Sequence, residues 1–268
     1  MIRHERTVKD RPVPQAGGSG SSTQEFPPIV PKRLLGLAPV EEDGSFHIEL
    51  PPDVPVQIQA LDADGLSLAT CGWIWVKPRE WRGCIGCHED PELTPENRFV
   101  LAVRKPAVQL TLPAEKRRSV DFQRDILPIV AAKCAACHPG EKTKLDLRSE
   151  RRGRFNVAYE SLLVTDRSSK ARGGETTSAP AAVGRYVHPG QARTSPLAWR
   201  LMGRNTSRPW DAVGDVGRKI TVCPPPGAEQ LTEAERRAIF EWIDLGASWA
   251  GVPAQELAAQ EPPALAGG

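Results

Sequence analysis

The chain has 268 residues, of which 40% are hydrophobic and 25% are charged, so it can bury a core and wholesale disorder is excluded. Its net charge of +2 is too small to indicate a nucleic-acid or membrane-surface partner. Its apolar runs are far shorter than the roughly 20 residues that a membrane-spanning helix needs, so no membrane span is expected. The 26 prolines and 23 glycines indicate many loops.

The first 30 residues contain no apolar segment of the kind found in a secretory signal peptide. Residues 17–22 consist of glycine and serine, and most of this region is polar. This composition predicts a disordered linker over residues 1–30. A linker at the start suggests either that the chain is the C-terminal part of a longer polypeptide, with another domain upstream, or that the start of the reading frame is misplaced.

Residues 31–115 are expected to form a small antiparallel β domain. Apolar and polar residues alternate over 44–50 and again over 54–60, which is the period of half-buried strands. Two Asp-Gly pairs are turn signals. Residues 73–76 are expected to add a further strand, with their two tryptophans packed in the core or on the sheet.

Residues 116–252 are expected to be mainly helical, with long connections. An apolar face over 126–130 indicates a helix that runs toward Cys134 and has a proline in its first turn. A last helix is indicated by Thr232 and Glu235, which have the spacing of a capping box. Residues 253–268, rich in alanine, proline and glycine, are expected to be a flexible tail.

Four of the six cysteines belong to two Cys-x-x-Cys-His motifs. In this motif of c-type haem attachment, the two thiols add to the vinyl groups of the porphyrin and the histidine binds the iron as proximal ligand. The sequence therefore predicts two covalently attached haem c groups. Their attachment residues would be Cys84, Cys87 and His88 for haem 1, and Cys134, Cys137 and His138 for haem 2.

Zinc is the main competing interpretation, because each motif could supply a half-site of two cysteines and one histidine. The motifs lie 50 residues apart, and in each the histidine directly follows the second cysteine. This spacing is typical of haem attachment and uncommon in zinc modules, so haem is favoured. A zinc-stapled interaction module stays as an alternative.

The sixth ligand of haem 2 has two candidates. Small c-type cytochromes usually supply a methionine followed by proline from the loop before the last helix, and here Cys223 takes that place. A thiolate there would lower the reduction potential relative to methionine, because it brings negative charge to the iron. His188 is the rival ligand, whereas Met202 lies in an apparent helix where core packing explains it. A buried, non-ligating Cys223 is the plain alternative.

Haem 1 has no methionine nearby, so its sixth position is expected to be open or weakly filled. His47 could bind the iron from the sheet, although a strand histidine is more often simply exposed. The acidic residues that follow the motif, including Glu89, are expected to be solvated. Whether the leftover Cys71 pairs with Cys223 is left open, because sequence alone does not fix a disulfide.

Two parts of the chain resemble known families. The stretches 31–36, 39–46, 59–62 and 82–89, the last containing Cys-Ile-Gly-Cys-His-Glu, resemble the middle domain of the hydrazine synthase alpha-subunit family. The stretches 120–138, 189–197 and 231–247 are similar to planctomycete-type cytochrome c domains. The resemblance implies two covalent haems and a location outside the cytoplasm, and it implies no shared reaction. Such cytochrome domains usually carry methionine where this chain has Cys223.

The predicted fold class is α+β, in which a small antiparallel β domain with one haem loop precedes a mainly helical cytochrome c-like domain with long loops. The predicted function is electron transfer by a dihaem c-type cytochrome module, part of a larger periplasmic or otherwise extracytoplasmic redox protein. Its partner would be a redox protein or an upstream domain. The alternative is a hydrazine synthase-like haem enzyme that acts on a small nitrogen or oxygen compound at haem 1.

Overall fold

The fold is described by a computed structural model. It describes residues 2–5, 32–85, 99–109, 119–140, 145–153, 155–163, 186–207 and 220–250. The tail expected over 253–268 and most of the linker expected over 1–30 lie outside these ranges.

The chain combines short strands with short helices, which confirms the α+β class. The strands are β1 (Ile2–Glu5), β2 (Lys32–Gly36), β3 (Ile48–Glu49), β4 (Val56–Leu61), β5 (Ser67–Thr70), β6 (Val108–Gln109), β7 (Arg151–Arg152) and β8 (Phe155–Asn156). The helices are α1 (Leu127–Lys133), α2 (Val157–Leu163), α3 (Pro196–Met202) and α4 (Glu233–Asp244). Within the described ranges, no helix is long and apolar enough to cross a membrane.

The main sheet has the strand order β2-β1-β4-β5 and is antiparallel throughout. Leu35 and Val56 form a small buried cluster on it. The two Asp-Gly turns are present, with Gly44 at φ 81° and Gly65 at φ 87°. Both values lie in the left-handed region, which glycine enters at little cost because it lacks a Cβ.

Strand β1 differs from the linker predicted for residues 1–30. It lies between β2 and β4, and its backbone pairs with both. Its partners lie about 30 and 55 residues further along the chain, at Lys32–Gly36 and Val56–Ile58. Pairing with two distant strands overrides the weak local preference of a four-residue polar segment.

Two details of the β part depart from the predicted antiparallel sheet. Strand β3 pairs with β6 in parallel rather than antiparallel orientation. Residues 73–76 form only an isolated bridge from Ile74 to Val56, not a full strand. The side chain of Trp75 is 50% exposed, so the packed position expected for it is wrong.

The helical part has one continuous apolar core. Helix α1 follows a π-helical turn, Phe122–Ile126, and has its proline in the first turn, as predicted. Helix α4 begins with the predicted capping box between Thr232 and Glu235. Its apolar face is buried, and the rings of Trp242 and Tyr159 both pack around Phe122. These packed helices hold the two segments that carry the second motif and Cys223.

The β part and the helical part are packed together. Leu66, which precedes β5, is fully buried and belongs to the core of the helical part. The buried carboxylate of Asp244 accepts hydrogen bonds from the backbone N–H groups of Ser67 (3.1 Å) and Ala192 (2.8 Å). Arg237 adds a hydrogen bond to the carbonyl of Ala63 at 2.8 Å. The turn before β5 is therefore fixed to the first half of α4, and the first residue of β5 to the end of that helix.

Candidate haem-binding sites

The second Cys-x-x-Cys-His motif lies directly at the end of α1. Cys134 caps that helix, with its backbone N–H bonded to the carbonyl of Val130. The backbone N–H groups of Cys137 and His138 donate to the carbonyl of Cys134, at 3.2 and 3.1 Å. The motif is thus wound into a single turn, in which Cys134 is half-buried and Cys137 is exposed.

The loop that carries Cys223 is fixed to two helices. Its backbone N–H donates to the carbonyl of Arg200 in α3 at 2.9 Å, and the Arg200 guanidinium donates to the carbonyl of Thr221 at 3.2 Å. Lys133, the last residue of α1, forms an ion pair with Glu229 further along the loop. The loop is therefore placed relative to both α1 and α3.

These contacts bring Cys223 to the second motif. Its Sγ lies 3.8 Å from Nε2 of His138, although the two residues are 85 positions apart. The imidazole next to the attachment cysteines thus faces the thiol from the loop before the last helix. Of the two predicted sixth-ligand candidates, Cys223 is the one that the structure places at Nε2 of His138.

Burial alters the acidity of the thiols at this site. Burial, followed by the neighbouring Cys223 thiol, raises the pKa of Cys134 to about 11. Burial also raises the pKa of Cys223 above its usual value, and the Arg200 guanidinium opposes this shift. Both thiols therefore keep their protons near neutral pH without a metal, and binding of Cys223 to a metal must release a proton.

His188, the rival candidate, is held by its own loop. Its Nδ1 lies 3.1 Å from Oγ1 of Thr194, and its backbone N–H donates to Oγ of Ser195 at 2.8 Å. Burial lowers the pKa of the imidazole, so the neutral ring is favoured. The same loop faces β5 across a pocket of about 310 Å³ lined by Gln191 and Arg193, among others.

Only part of the first motif lies within the described residues. Cys84 is described and exposed, whereas Cys87 and His88 lie outside the described residues, as does Glu89. The described chain before the motif is exposed as well, and the side chain of Trp81 is 83% exposed.

Of the two cysteines outside both motifs, Cys71 is bonded to the sheet. The backbone N–H of Cys71 donates to the carbonyl of Ile58 at 2.9 Å, and the backbone N–H of Ile58 donates to Sγ of Cys71 at 3.0 Å. No disulfide joins Cys71 to Cys223, so the pairing left open by the sequence is not formed. Over the described residues, no three side chains of His, Cys, Asp or Glu converge in the arrangement of a metal site.

Comparisons with known proteins show what this chain is similar to. Residues 2–89 match the hydrazine synthase alpha subunit middle domain. The chain is 29% identical to hydrazine synthase subunit alpha of Kuenenia stuttgartiensis, over 88% of this chain and 35% of that protein. It also matches a solved structure of Kuenenia stuttgartiensis hydrazine synthase with a TM-score of 0.62 and 30% identity, over 82% of this chain and 33% of the solved chain.

The similarity extends beyond the matched domain, because it covers most of the chain in both sequence and structure. The fold as a whole therefore resembles part of hydrazine synthase. The chain spans about a third of the length of these relatives.

Proposed function

We propose that this chain is a dihaem c-type cytochrome module that transfers electrons. The observation that carries the proposal is the 3.8 Å distance between Sγ of Cys223 and Nε2 of His138. It supports His138 and Cys223 as the two protein ligands of haem 2, which would then have no coordination position for a substrate. Cys134 and Cys137 would hold haem 2 by thioether bonds, and Cys84 and Cys87 would hold haem 1.

The donor set at the second motif fits a c-type haem. It offers two thiols within one turn, an adjacent imidazole and a facing thiol, which are ligand types that haem iron accepts. A bound haem c supplies one-electron chemistry at its iron. His138 would bind this iron, and a Cys223 thiolate would bring negative charge that stabilises the ferric state. The hydrogen bond from the Cys223 loop to Arg200 and the ion pair of this loop with Lys133 would keep both ligands in place.

In this proposal, residues 31–115 form the unit that carries haem 1, and residues 116–252 form a cytochrome c-like unit that carries haem 2. Covalent haem attachment favours a periplasmic or otherwise extracytoplasmic location. A larger redox protein or complex is the favoured setting, because the relative is named as a subunit and the chain spans about a third of it. The electron partner would be another protein or an upstream domain.

Catalysis at haem 1 is the second candidate function. The similarity to hydrazine synthase subunit alpha favours it, since it covers 88% of this chain. In this version haem 1 would keep an open position for a small nitrogen or oxygen compound, and haem 2 would deliver or remove its electrons. No described observation favours the zinc-stapled module.

The test is to express the full chain in a host with cytochrome c maturation and to record its mass, its visible spectrum and its pyridine haemochrome. We expect the mass of two haems and a c-type haemochrome. Two matched variants each have both cysteines of one motif replaced by alanine, and each variant should contain one haem fewer than the wild type. A colourless protein, or one that contains zinc without iron, would contradict the proposal. Carbon monoxide and cyanide then separate the two functions, because only an open iron binds them readily.

A further inference from the structure

Three consecutive residues of the Cys223 loop contact the end of α3. The backbone N–H of Cys223 donates to the carbonyl of Arg200 at 2.9 Å, and the Arg200 guanidinium donates to the carbonyl of Thr221 at 3.2 Å. Between these two loop residues, Val222 lies against Gly203, the residue that follows the helix. The last turn of α3 is therefore the surface on which this loop rests.

Gly203 permits a close approach that a residue with a side chain would prevent. Its φ of 64° lies in the left-handed region, which glycine enters at little cost. A Cβ at this position would lie 3.3 Å from Cβ and 3.5 Å from Cγ2 of Val222. The shorter distance is below the optimum of about 3.5–4.0 Å for two carbon atoms. Because Cβ of Val222 is bonded directly to the backbone, no rotation of that side chain can relieve the contact.

The end of α3 is the fixed side of this contact. The backbone N–H groups of Gly203 and Arg204 both donate to the carbonyl of Trp199. Arg204 also forms an ion pair of 2.9 Å with Asp64 of the β part. Residues 220–223 on the other side belong to no helix or strand. A side chain at position 203 would therefore displace the loop rather than the helix.

A displacement of the backbone at Val222 also moves Cys223, the next residue. Sγ of Cys223 lies 3.8 Å from Nε2 of His138, which belongs to the turn at the end of α1. Relieving the contact with a Cβ at position 203 takes a few tenths of an ångström. Metal sites keep their ligand distances within about 0.2 Å, so a shift of that size weakens a bond to the metal. The placement of the thiol against the imidazole thus depends on the fit of Val222 over Gly203.

We propose that Gly203 is a positioning residue for Cys223 as the sixth ligand of haem 2. Gly203 acts through the backbone of Val222 and supplies no ligand of its own. This inference rests on the proposed function and makes it more specific, because it makes the ligation of haem 2 depend on the end of α3.

The experiment uses the full chain matured with haem and the variant Gly203→Ala. Gly153→Ala is the matched control, because Gly153 has a φ of 65° and a Cβ there would meet no atom within 4 Å. The two variants thus have the same backbone strain, and only the first has the contact with Val222. The readouts are the electron paramagnetic resonance spectrum of the ferric protein, the reduction potential of haem 2 and the urea midpoint.

We expect the low-spin signal of a ferric haem with one thiolate ligand in the wild type and in Gly153→Ala. Gly203→Ala should lose much of this signal, and the potential of haem 2 should rise because the negative charge of the thiolate leaves the iron. A purely structural role would lower the urea midpoint of both variants and leave the thiolate signal unchanged. An unchanged signal in Gly203→Ala, or an equal loss in Gly153→Ala, would overturn the inference.

A second substitution tests the route through Val222. Val222→Gly removes both atoms that a Cβ at position 203 would meet, so adding it to Gly203→Ala should restore part of the thiolate signal. No recovery would overturn the inference. If Gly203→Ala does not fold, Gly203→Asn and its control Gly153→Asn replace the alanine pair, because asparagine also occurs at this position after helices. The same outcomes then decide.

The wild type separates this inference from the proposed function. Two attached haems without a thiolate signal would overturn the inference and leave electron transfer by a dihaem module standing. A wild type without c-type haem would overturn the proposed function itself, and this inference with it.

Discussion

The backbone N–H of Ser67 donates a hydrogen bond of 3.1 Å to Oδ2 of Asp244, across 177 positions of sequence. The other carboxylate oxygen, Oδ1, accepts from the N–H of Ala192 at 2.8 Å. One buried carboxylate at the end of α4 therefore fixes both the first residue of β5 and the loop that contains His188. It orders the boundary between the two parts that would carry the two haems.

Replacing Asp244 by alanine should destabilise the protein strongly. Two buried N–H groups would lose their acceptor, and each unsatisfied group costs about 1–3 kcal/mol, so we expect a loss of about 2–6 kcal/mol. Urea unfolding followed by circular dichroism measures it. The control is Asp64→Asn, which removes a partly exposed ion pair with Arg204 and should cost at most about 1 kcal/mol. Equal losses in the two variants would refute this role of Asp244.

Leu66→Ala tests the packing between the two parts of the fold in the same urea unfolding measurement. Leu66 is fully buried in the core of the helical part, so its truncation should cost about 2–5 kcal/mol. Leu37→Ala is the control, because Leu37 is 60% exposed and its loss should change stability by no more than about 0.5 kcal/mol. If the near-ultraviolet signal of the helical aromatic cluster were unaffected by Leu66→Ala, the packing described for this residue would be wrong.

Cys223→Met should raise the reduction potential of haem 2. Methionine removes the negative charge of a thiolate ligand, and axial ligands set haem potentials over a range of about 0.8 V, so the shift should be large enough to resolve by spectroelectrochemistry. His188→Gln is the comparison and should leave the reduction potential of haem 2 unchanged. An unchanged potential and spectrum in Cys223→Met would remove Cys223 from the iron and make His188 the ligand to test.

The stability of the protein should depend on pH through His188. Burial lowers the pKa of its imidazole below the usual 6.5, so the unfolded chain takes up this proton at a higher pH than the folded chain does. The contribution is fully present above pH 6.5 and is lost as the pH falls through the lower pKa of the folded state. Urea midpoints measured from neutral to mildly acidic pH should fall less in His188→Gln than in the wild type. Parallel curves would contradict the assignment.

Elements fixed by neighbouring residues could be predicted from the sequence. The capping box of Thr232 and Glu235 lies within one turn, and the helix that ends at Cys134 is encoded by its own apolar face. Strand β1 could not be predicted, because its pairing partners are distant and its four residues have no strong preference of their own. The parallel pair of β3 and β6 likewise depends on tertiary contacts.

The same distinction holds for the candidate site. The motif at Cys134 is a local pattern, and the position of Cys223 before the last helix was enough to propose it as a ligand. The buried Asp244 was missed, although a carboxylate inside the apolar run Trp242–Leu245 is the kind of residue that needs a buried partner. Its hydrogen-bond donors are the backbone N–H groups of Ser67 and Ala192, which lie far away in the sequence. Almost every residue has a backbone N–H group, so the residue types do not indicate which of these groups Asp244 binds.

The position of β1 in the middle of its sheet has a practical consequence for work with this protein. Because β1 separates β2 from β4, a polypeptide shortened to begin near residue 31 would lose the strand that joins them. Two rows of backbone donors and acceptors would then face solvent and could pair with the same rows of other molecules. Shortened versions should accordingly self-associate, so biochemical studies are best done with the N-terminal residues in place.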